Sequence, residues 1–298
     1  MSDKTIHIIA GPTASGKSAL AIQKARELNG VIINADSMQV YDALPILTAQ
    51  PSTEDKQQAP HEMYGFLHPN EAFSAGAWND HARALITKLF AEGRTPIIVG
   101  GTGLYIKALM EGFSPLPEVP NAVRERVTAL QKQLGNPGFY DALKKIDPVM
   151  AARFHPHHTA RLMRAYEVIE ATGKSLAEFQ SIPPDAPPED WVFDITIMAP
   201  DRVTLHQRCN DRFIWMMENG APEEIRAFDA LGDIEPKALI HKALGAQALR
   251  DWIHGKISKE EAVSKAQTET RQYAKRQTTW FKNQVAPQKN IANITRIA

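Results

Sequence analysis

The octapeptide Gly11-Pro12-Thr13-Ala14-Ser15-Gly16-Lys17-Ser18 is the first place where residue types and spacing specify a chemistry. A glycine, four residues and then Gly-Lys-Ser is the pattern of a phosphate-binding loop, here preceded by an apolar run and followed by a helical pattern. Glycines let the backbone curl until several amides face one anion. The next helix contributes its positive end, Lys17 a full charge, and the Ser18 hydroxyl a ligand for Mg2+. The pattern predicts diphosphate binding by residues 11–18 and is silent on whose diphosphate it is.

ATPases with such a loop usually place an aspartate at the end of a second apolar strand. In this chain Ile97-Ile98-Val99 runs into Gly100-Gly101-Thr102, with no acid. The carboxylate close behind an early strand is Asp36, in Val31-Ile32-Ile33-Asn34-Ala35-Asp36-Ser37. Strand carboxyl ends face the ligand crevice in a parallel α/β sheet, so Asp36 is expected to share a crevice with Lys17. Two roles stay open: a base that takes a proton from an acceptor, or an N-cap for a helix after it.

Basic residues recur in two places. Glu261 to Lys282 holds Lys265, Arg271, Lys275, Arg276 and Lys282, with Tyr273, Trp280 and Phe281 interleaved. Arg161 and Arg164, three apart, share a face if their segment is helical. Each cluster is either a solvated helix face or a set of RNA phosphate contacts. His155, His157 and His158 lack cysteine or acidic partners in a ligand pattern, which favours a surface or RNA-facing role over a metal site. The single cysteine, Cys209, excludes a disulfide framework and a cysteine-rich zinc site and reads as a small buried residue. The apolar spacing of Phe213, Met216 and Met217 reads as core rather than as a pocket.

These residues need elements to hold them. Apolar runs predict strands at 5–10, 31–34, 95–100 and 192–198, and helical periodicity marks 18–28, 75–91 and 104–111. Such alternation predicts an α/β fold with a mostly parallel sheet covered on both faces. After Phe113 the prolines at 115, 117 and 120 break the rhythm, and helical patterns continue to about Gln180 without a convincing strand. The proline-rich stretch Pro183 to Pro188 closes that region. We therefore expect an inserted helical domain at 114–190 within a core formed by 1–113 and 191–298, the last part helical from Val203 to near Asn283.

With 298 residues, 43% of them hydrophobic, the chain can bury a substantial core. Its 34 basic and 34 acidic residues cancel, so any nucleic-acid affinity must be local. No apolar run reaches membrane length, and Ile6–Ala10 is too short for a signal peptide, so a cytoplasmic protein with no membrane association is expected.

Five stretches, in order along nearly the whole chain, resemble the tRNA dimethylallyltransferase (tRNA isopentenyltransferase) family. They are residues 11–18, Asn-Ala-Asp-Ser-Met-Gln-Val-Tyr at 34–41, Gly-Gly-Thr-Gly-Leu-Tyr at 100–105, Ser-Pro-Leu-Pro at 114–117 and Ala-Lys-Arg-Gln-Thr-Thr-Trp-Phe at 274–281. The resemblance implies a P-loop NTPase-like core whose all-helical insertion grips the anticodon stem-loop of tRNA. It implies a Mg2+-dependent monomer that moves dimethylallyl from dimethylallyl diphosphate to N6 of the adenosine just 3′ of the anticodon, releasing diphosphate.

Carried over by position, Gly11, Pro12, Thr13, Ala14, Ser15, Gly16, Lys17 and Ser18 hold the diphosphate, Ser18 binds Mg2+, and Asp36 is the general base. Arg208 joins Lys17 and Asp36 in the catalytic set by helping to hold the prenyl diphosphate. Contacts to tRNA are implied at Asp36, Ser37, Met38, Gln39, Thr102, Arg124, Ala160, Arg161, Leu162, Met163 and Arg164, and the basic C-terminal segment adds Arg271, Lys275 and Arg276. The chain departs from the family's usual pattern at Ala160, commonly Gln; at Ala246, commonly Tyr; and at Tyr64–His68, commonly an aliphatic residue then Asp.

Three other readings compete with this one. An ATP-dependent small-molecule kinase would share the phosphate loop but has no use for the helical insertion. A prenyltransferase of free adenine nucleotides would share the chemistry but not need a basic, aromatic C-terminal segment. A non-enzymatic RNA-binding module would not need Lys17 and Asp36 together.

Overall fold

The computed structural model describes residues 4–298. The first part of the chain gives β1 (Lys4–Ala10), α1 (Lys17–Glu27), β2 (Gly30–Asn34), α2 (Thr53–Gln58), β3 (His61–Glu62), α3 (Ala75–Ala91), β4 (Thr95–Gly100) and α4 (Gly103–Glu111). A helical stretch follows with α5 (Asn121–Ile146), α6 (Pro148–Arg153), α7 (Thr159–Thr172) and α8 (Leu176–Ser181). The chain then forms β5 (Trp191–Met198), α9 (Arg202–Glu218), α10 (Ala221–Ala230), a 3-10 turn at Leu239–Lys242, α11 (Ala246–Ile253), α12 (Lys259–Gln284) and β6 (Ile291–Ile297).

The fold is α/β. Its six strands pair in the order β3-β2-β4-β1-β5-β6, all parallel. The inner strands are apolar on both faces because both faces are covered. Ile8 and Ile98 pack with Trp78, Ile86, Ile106 and Phe281 from α3, α4 and α12. Their neighbours Ile9, Ile97 and Val99 turn the other way, onto Ala21, Ile22 and Ala25 of α1. Every strand therefore ends at the same edge, where Gly11, Ala35 and Gly101 begin the following loops.

Residues up to Met110 together with Pro187–Ala298 form one compact unit, and Glu111–Ala186 form a second. The first contains the sheet and a further core in which Phe213, Met216, Ile225 and Leu249 pack on Val40, Tyr41 and Leu44. The second is helical and packs Val127, Phe139, Leu143, Met150, Leu162 and Val168 into its own core. Within α5 the helix breaks at Gly135, whose φ of 62° lies in the left-handed region, just before Pro137.

Three elements depart from expectation. Residues 53–58 form a short helix started by a Ser52–Asp55 capping box. β3 is a two-residue edge strand, and β6 adds a sixth strand after the last helix. The β6 segment is largely exposed and its isoleucines recur every third residue, at 291, 294 and 297, so it carries no period-two signal. Its pairing with the open edge of β5 makes it a strand. Among the described residues no helix is long and apolar enough to cross a membrane.

Candidate active site

The loop after β1 curls through two left-handed residues, Ala14 (φ 61°) and Gly16 (φ 92°), and delivers Lys17 and Ser18 to the first turn of α1. Gly11 is required by close approach, since a Cβ there would lie 2.6 Å from the Met198 carbonyl at the end of β5. Lys17 Nζ donates to the Pro12 carbonyl at 2.5 Å. Burial lowers the Lys17 pKa to about 8, against the opposing pull of Asp36. The Ser15 hydroxyl is buried and has no protein partner.

Asp36 is held by the end of β2. Asn34, fully buried, accepts from the Asp36 amide through Oδ1 at 2.8 Å and donates through Nδ2 to the Asp36 and Met63 carbonyls, both at 3.0 Å. A Cβ on Gly100 would strike the Ala35 carbonyl at 2.1 Å, so glycine lets β4 press against the chain just before Asp36. Thr102 closes the ledge, accepting from the Ser37 amide at 3.0 Å. No helix follows Asp36; its Oδ1 instead accepts from the Met38 amide two residues on, which removes the N-cap alternative. Burial raises the carboxyl pKa, and the Met38 amide, Lys17, Arg212 and the Gln39 amide partly offset that rise.

Lys17 and Asp36 face one cavity of about 790 Å³, whose walls also include Thr13, Ser15, Ser18, Asp55, Arg208 and Arg212. A second, smaller cavity of about 270 Å³ also has Asp36 in its lining, together with Leu47, Cys209, Phe213, Met216, Tyr273 and Arg276, among others. Thr13, Asp36 and Arg212 line both. Asp36 thus lines both the space around the phosphate loop and a second space whose wall includes the apolar side chains of Leu47, Phe213 and Met216. Phe213 and Met216 belong to the core as expected, but they also form the wall of this smaller space.

One cavity residue, Arg212, escaped the sequence reading, and another, Tyr273, was read only as an aromatic interleaved among basic residues. Arg212 donates to the Thr13 hydroxyl, and burial works against its charge while Cys209 and Asp36 favour it. It lies one turn beyond Arg208 on α9, and that i, i+4 spacing was the signal available for it. Tyr273 has its pKa raised, chiefly by burial and then by Asp36. Arg276 lies over its ring at 5.5 Å from the centroid.

The RNA-facing expectations divide. Ser37 and Met38 line the smaller cavity, and Gln39 the larger. Gln39 also donates to the Thr48 and Ala49 carbonyls at 2.9 and 2.7 Å. Lys275 and Arg276 are exposed and border a groove with Gln272, Thr279, Trp280 and Asn283. Arg271 is committed elsewhere, to Asn210 at 2.6 Å and Thr268 at 2.9 Å. In the helical unit Arg124, Ala160 and Arg161 are exposed, Met163 is half-buried, and Arg164 reaches Glu167 at 3.6 Å and the Pro117 carbonyl at 3.5 Å. Leu162 corrects the expectation: its side chain is fully buried in the helical core and has no face to offer an RNA. His155, His157 and His158 are exposed, the His155 ring centroid lying 5.3 Å from that of His157 and 5.8 Å from that of His158, and no cluster of three metal-ligating side chains occurs among the described residues.

The donors around the larger cavity are oxygens: the Ser15 and Ser18 hydroxyls and the Asp36 and Asp55 carboxylates. That set suits Mg2+ held partly by phosphate oxygens and water, which needs only one or two protein oxygens rather than a cage.

The chain is similar to known proteins over most of its length. A family model described as IPP transferase matches residues 39–284. The chain is 46% identical over 278 residues to a tRNA dimethylallyltransferase of Paramagnetospirillum magneticum, covering 93% of this chain and 88% of the relative. It is 45% identical to a tRNA dimethylallyltransferase of Rhodospirillum centenum, covering 95% and 90%. Its structure resembles a tRNA isopentenylpyrophosphate transferase from Bacillus halodurans with a TM-score of 0.68 at 33% identity, covering 99% and 89%. It also resembles a eukaryotic dimethylallyltransferase acting on tRNA with a TM-score of 0.78 at 28% identity, covering 98% and 74%.

Proposed function

The chain belongs to the IPP transferase family, and from that premise we propose that it transfers dimethylallyl from dimethylallyl diphosphate to N6 of the adenosine just 3′ of the anticodon in tRNA. The observation that carries this reading is that Asp36 lines two cavities at once, one walled by the phosphate loop from Thr13 to Ser18 and one walled in part by Leu47, Phe213 and Met216.

N6 of adenine is a weak nucleophile because its lone pair is shared with the ring. The allylic carbon compensates by carrying positive charge as its bond to oxygen breaks. Catalysis therefore rests on receiving the leaving diphosphate. The loop amides, the α1 N-terminus, Lys17, Arg208 and Arg212 present fixed positive charge where negative charge develops. Ser18 would hold Mg2+, whose chemical contribution is to neutralise charge on the diphosphate. As the C–N bond forms, the N6 proton passes to the Asp36 carboxylate, whose raised pKa makes it a stronger acceptor than an exposed aspartate. The Asn34 clamp and the Met38 amide keep that carboxylate aimed.

The acceptor base must leave its loop to reach this depth, at a cost of about a few kcal/mol that is least for single-stranded RNA. Arg161 on the helical unit and Lys275 and Arg276 on α12 are exposed cations suited to phosphate contacts that offset it. The acceptor is the anticodon stem-loop of tRNA, to which each unit offers its own exposed cations, Mg2+ sits at Ser18, and a single chain is the working unit.

The test incubates the protein with Mg2+ and labelled dimethylallyl diphosphate or labelled ATP, and offers unmodified tRNA or AMP as acceptor. Label should move only from the prenyl donor, and only to the tRNA adenosine next to the anticodon. Phosphate transfer from ATP, or preference for AMP, would overturn the proposal.

A further inference from the structure

Gln277 lies on α12 with 5% of its surface exposed, and both ends of its amide are used. Its Oε1 accepts from the Thr13 amide of the phosphate loop at 2.8 Å. Its Nε2 donates to the carbonyl of Gly101, the first residue after β4, also at 2.8 Å. The fit is tight: a Cβ on Gly101 would sit 2.0 Å from Nε2 and 3.2 Å from the Gly11 carbonyl. The next residue, Thr102, accepts from Ser37, beside Asp36. One buried side chain therefore joins the loop that faces the diphosphate to the ledge that carries the base.

We infer that Gln277 is a positioning residue, setting the phosphate loop against the Asp36 ledge so that leaving group and base keep one geometry. This rests on the donor-diphosphate reading above. A leucine of similar volume would fill the space, so filling alone does not explain an amide here. What leucine cannot do is pair the buried Thr13 N–H and the Gly101 carbonyl, and unpaired buried groups of this kind force the backbone to move. Thr13 is gripped from a second side as well, because its hydroxyl accepts from Arg212 on α9. With its N–H turned to Gln277, Thr13 faces the protein, and the amides left for the anion come from the rest of the loop.

The experiment titrates magnesium pyrophosphate into the full chain and into Gln277→Leu and Gln277→Glu by calorimetry, alongside steady-state prenyl transfer. For Gln277→Leu, pyrophosphate affinity and kcat should each fall by about 10- to 100-fold, the size of effect expected from small misplacements at a reacting centre. The KM for tRNA should stay within about two-fold, since no RNA contact is removed. Gln277→Glu gives a readout that a packing role would not move. Its protonated carboxyl offers the same acceptor and donor as the amide, so its affinity relative to the parent should approach parity at low pH. That ratio should fall as pH rises, because the carboxylate cannot donate to Gly101 and repels the diphosphate.

Parent-like pyrophosphate affinity in both variants at every pH would overturn the inference. So would a loss of tRNA affinity with pyrophosphate binding intact, which would make Gln277 an RNA contact. If Gln277→Leu does not fold, the pH ratio of Gln277→Glu still decides the matter. Pyrophosphate binding by a parent protein that transfers no prenyl group would count against the donor reading alone.

Discussion

Arg212 donates its guanidinium to the hydroxyl of Thr13, a partner 199 positions away in the sequence. The bond ties α9 to the phosphate loop and places a second arginine, beside Arg208, on the wall of the larger cavity, where we propose the diphosphate binds. Arg212→Ala should therefore cost more than Arg208→Ala, because Arg208 is exposed and Arg212 is enclosed with Asp36. We expect about 10²–10³-fold in kcat/KM for dimethylallyl diphosphate from Arg212→Ala, the loss seen when one preorganised transition-state donor is removed. Equal effects of the two variants would refute the ranking.

Asp36→Asn keeps the turn, since an amide oxygen can still accept from the Met38 amide. Proton removal should slow by about 10²–10⁴-fold in a single-turnover assay, while tRNA affinity stays within a few-fold. A near-normal single-turnover rate would rule out the proposed role of Asp36 as base.

The pH profile follows from two groups. Asp36 must be ionised, so the rate should rise with pH through a carboxyl pKa lifted above the ordinary range by burial. Lys17 must be charged, and its pKa is lowered to about 8, so donor affinity should be full below that value and decline above it. The sign for Lys17 is fixed, because bound diphosphate favours the ammonium and proton uptake should accompany binding near pH 8. A kcat/KM for donor that stays flat to pH 10 would contradict this assignment.

Arg161 and Arg164 share a face of α7 but differ in freedom, since Arg164 is already engaged with Glu167 and the Pro117 carbonyl. Arg161→Gln alone should give most of the loss seen in the double variant. The log–log salt slope of tRNA binding should flatten by about 0.7–0.9 for each phosphate contact removed. An unchanged slope would place both residues on a solvated surface.

Leu162→Ala tests core against contact. Leu162 is fully buried in the helical unit, so truncation should cost about 2–5 kcal/mol of that unit's stability, read from denaturant unfolding. At temperatures where the variant stays folded, tRNA affinity should be unchanged; a selective loss of affinity would reinstate it as a contact.

Local pattern alone was enough for much of this protein. The phosphate loop could be read because its chemistry lies in consecutive residues, and glycine spacing with a flanking strand and helix is a short-range signal. Strands β1, β2, β4 and β5 were legible because strands buried on both faces are continuous apolar runs. Asp36 could be placed near Lys17 because parallel strands end at one edge.

What the tertiary structure decided is everything that depends on distant partners. β6 is a strand only because β5 offers it an open edge. Leu162 faces inward only because the helical core closes over it. Arg212 looks like an ordinary helix residue, and Gln277 like one member of the 274–281 stretch, until α9 and α12 bring them to Thr13, 199 and 264 positions away. A side chain's hydrogen-bond partner is set by where helices pack, and helix packing is fixed by summed apolar burial over the whole chain, which no local pattern encodes.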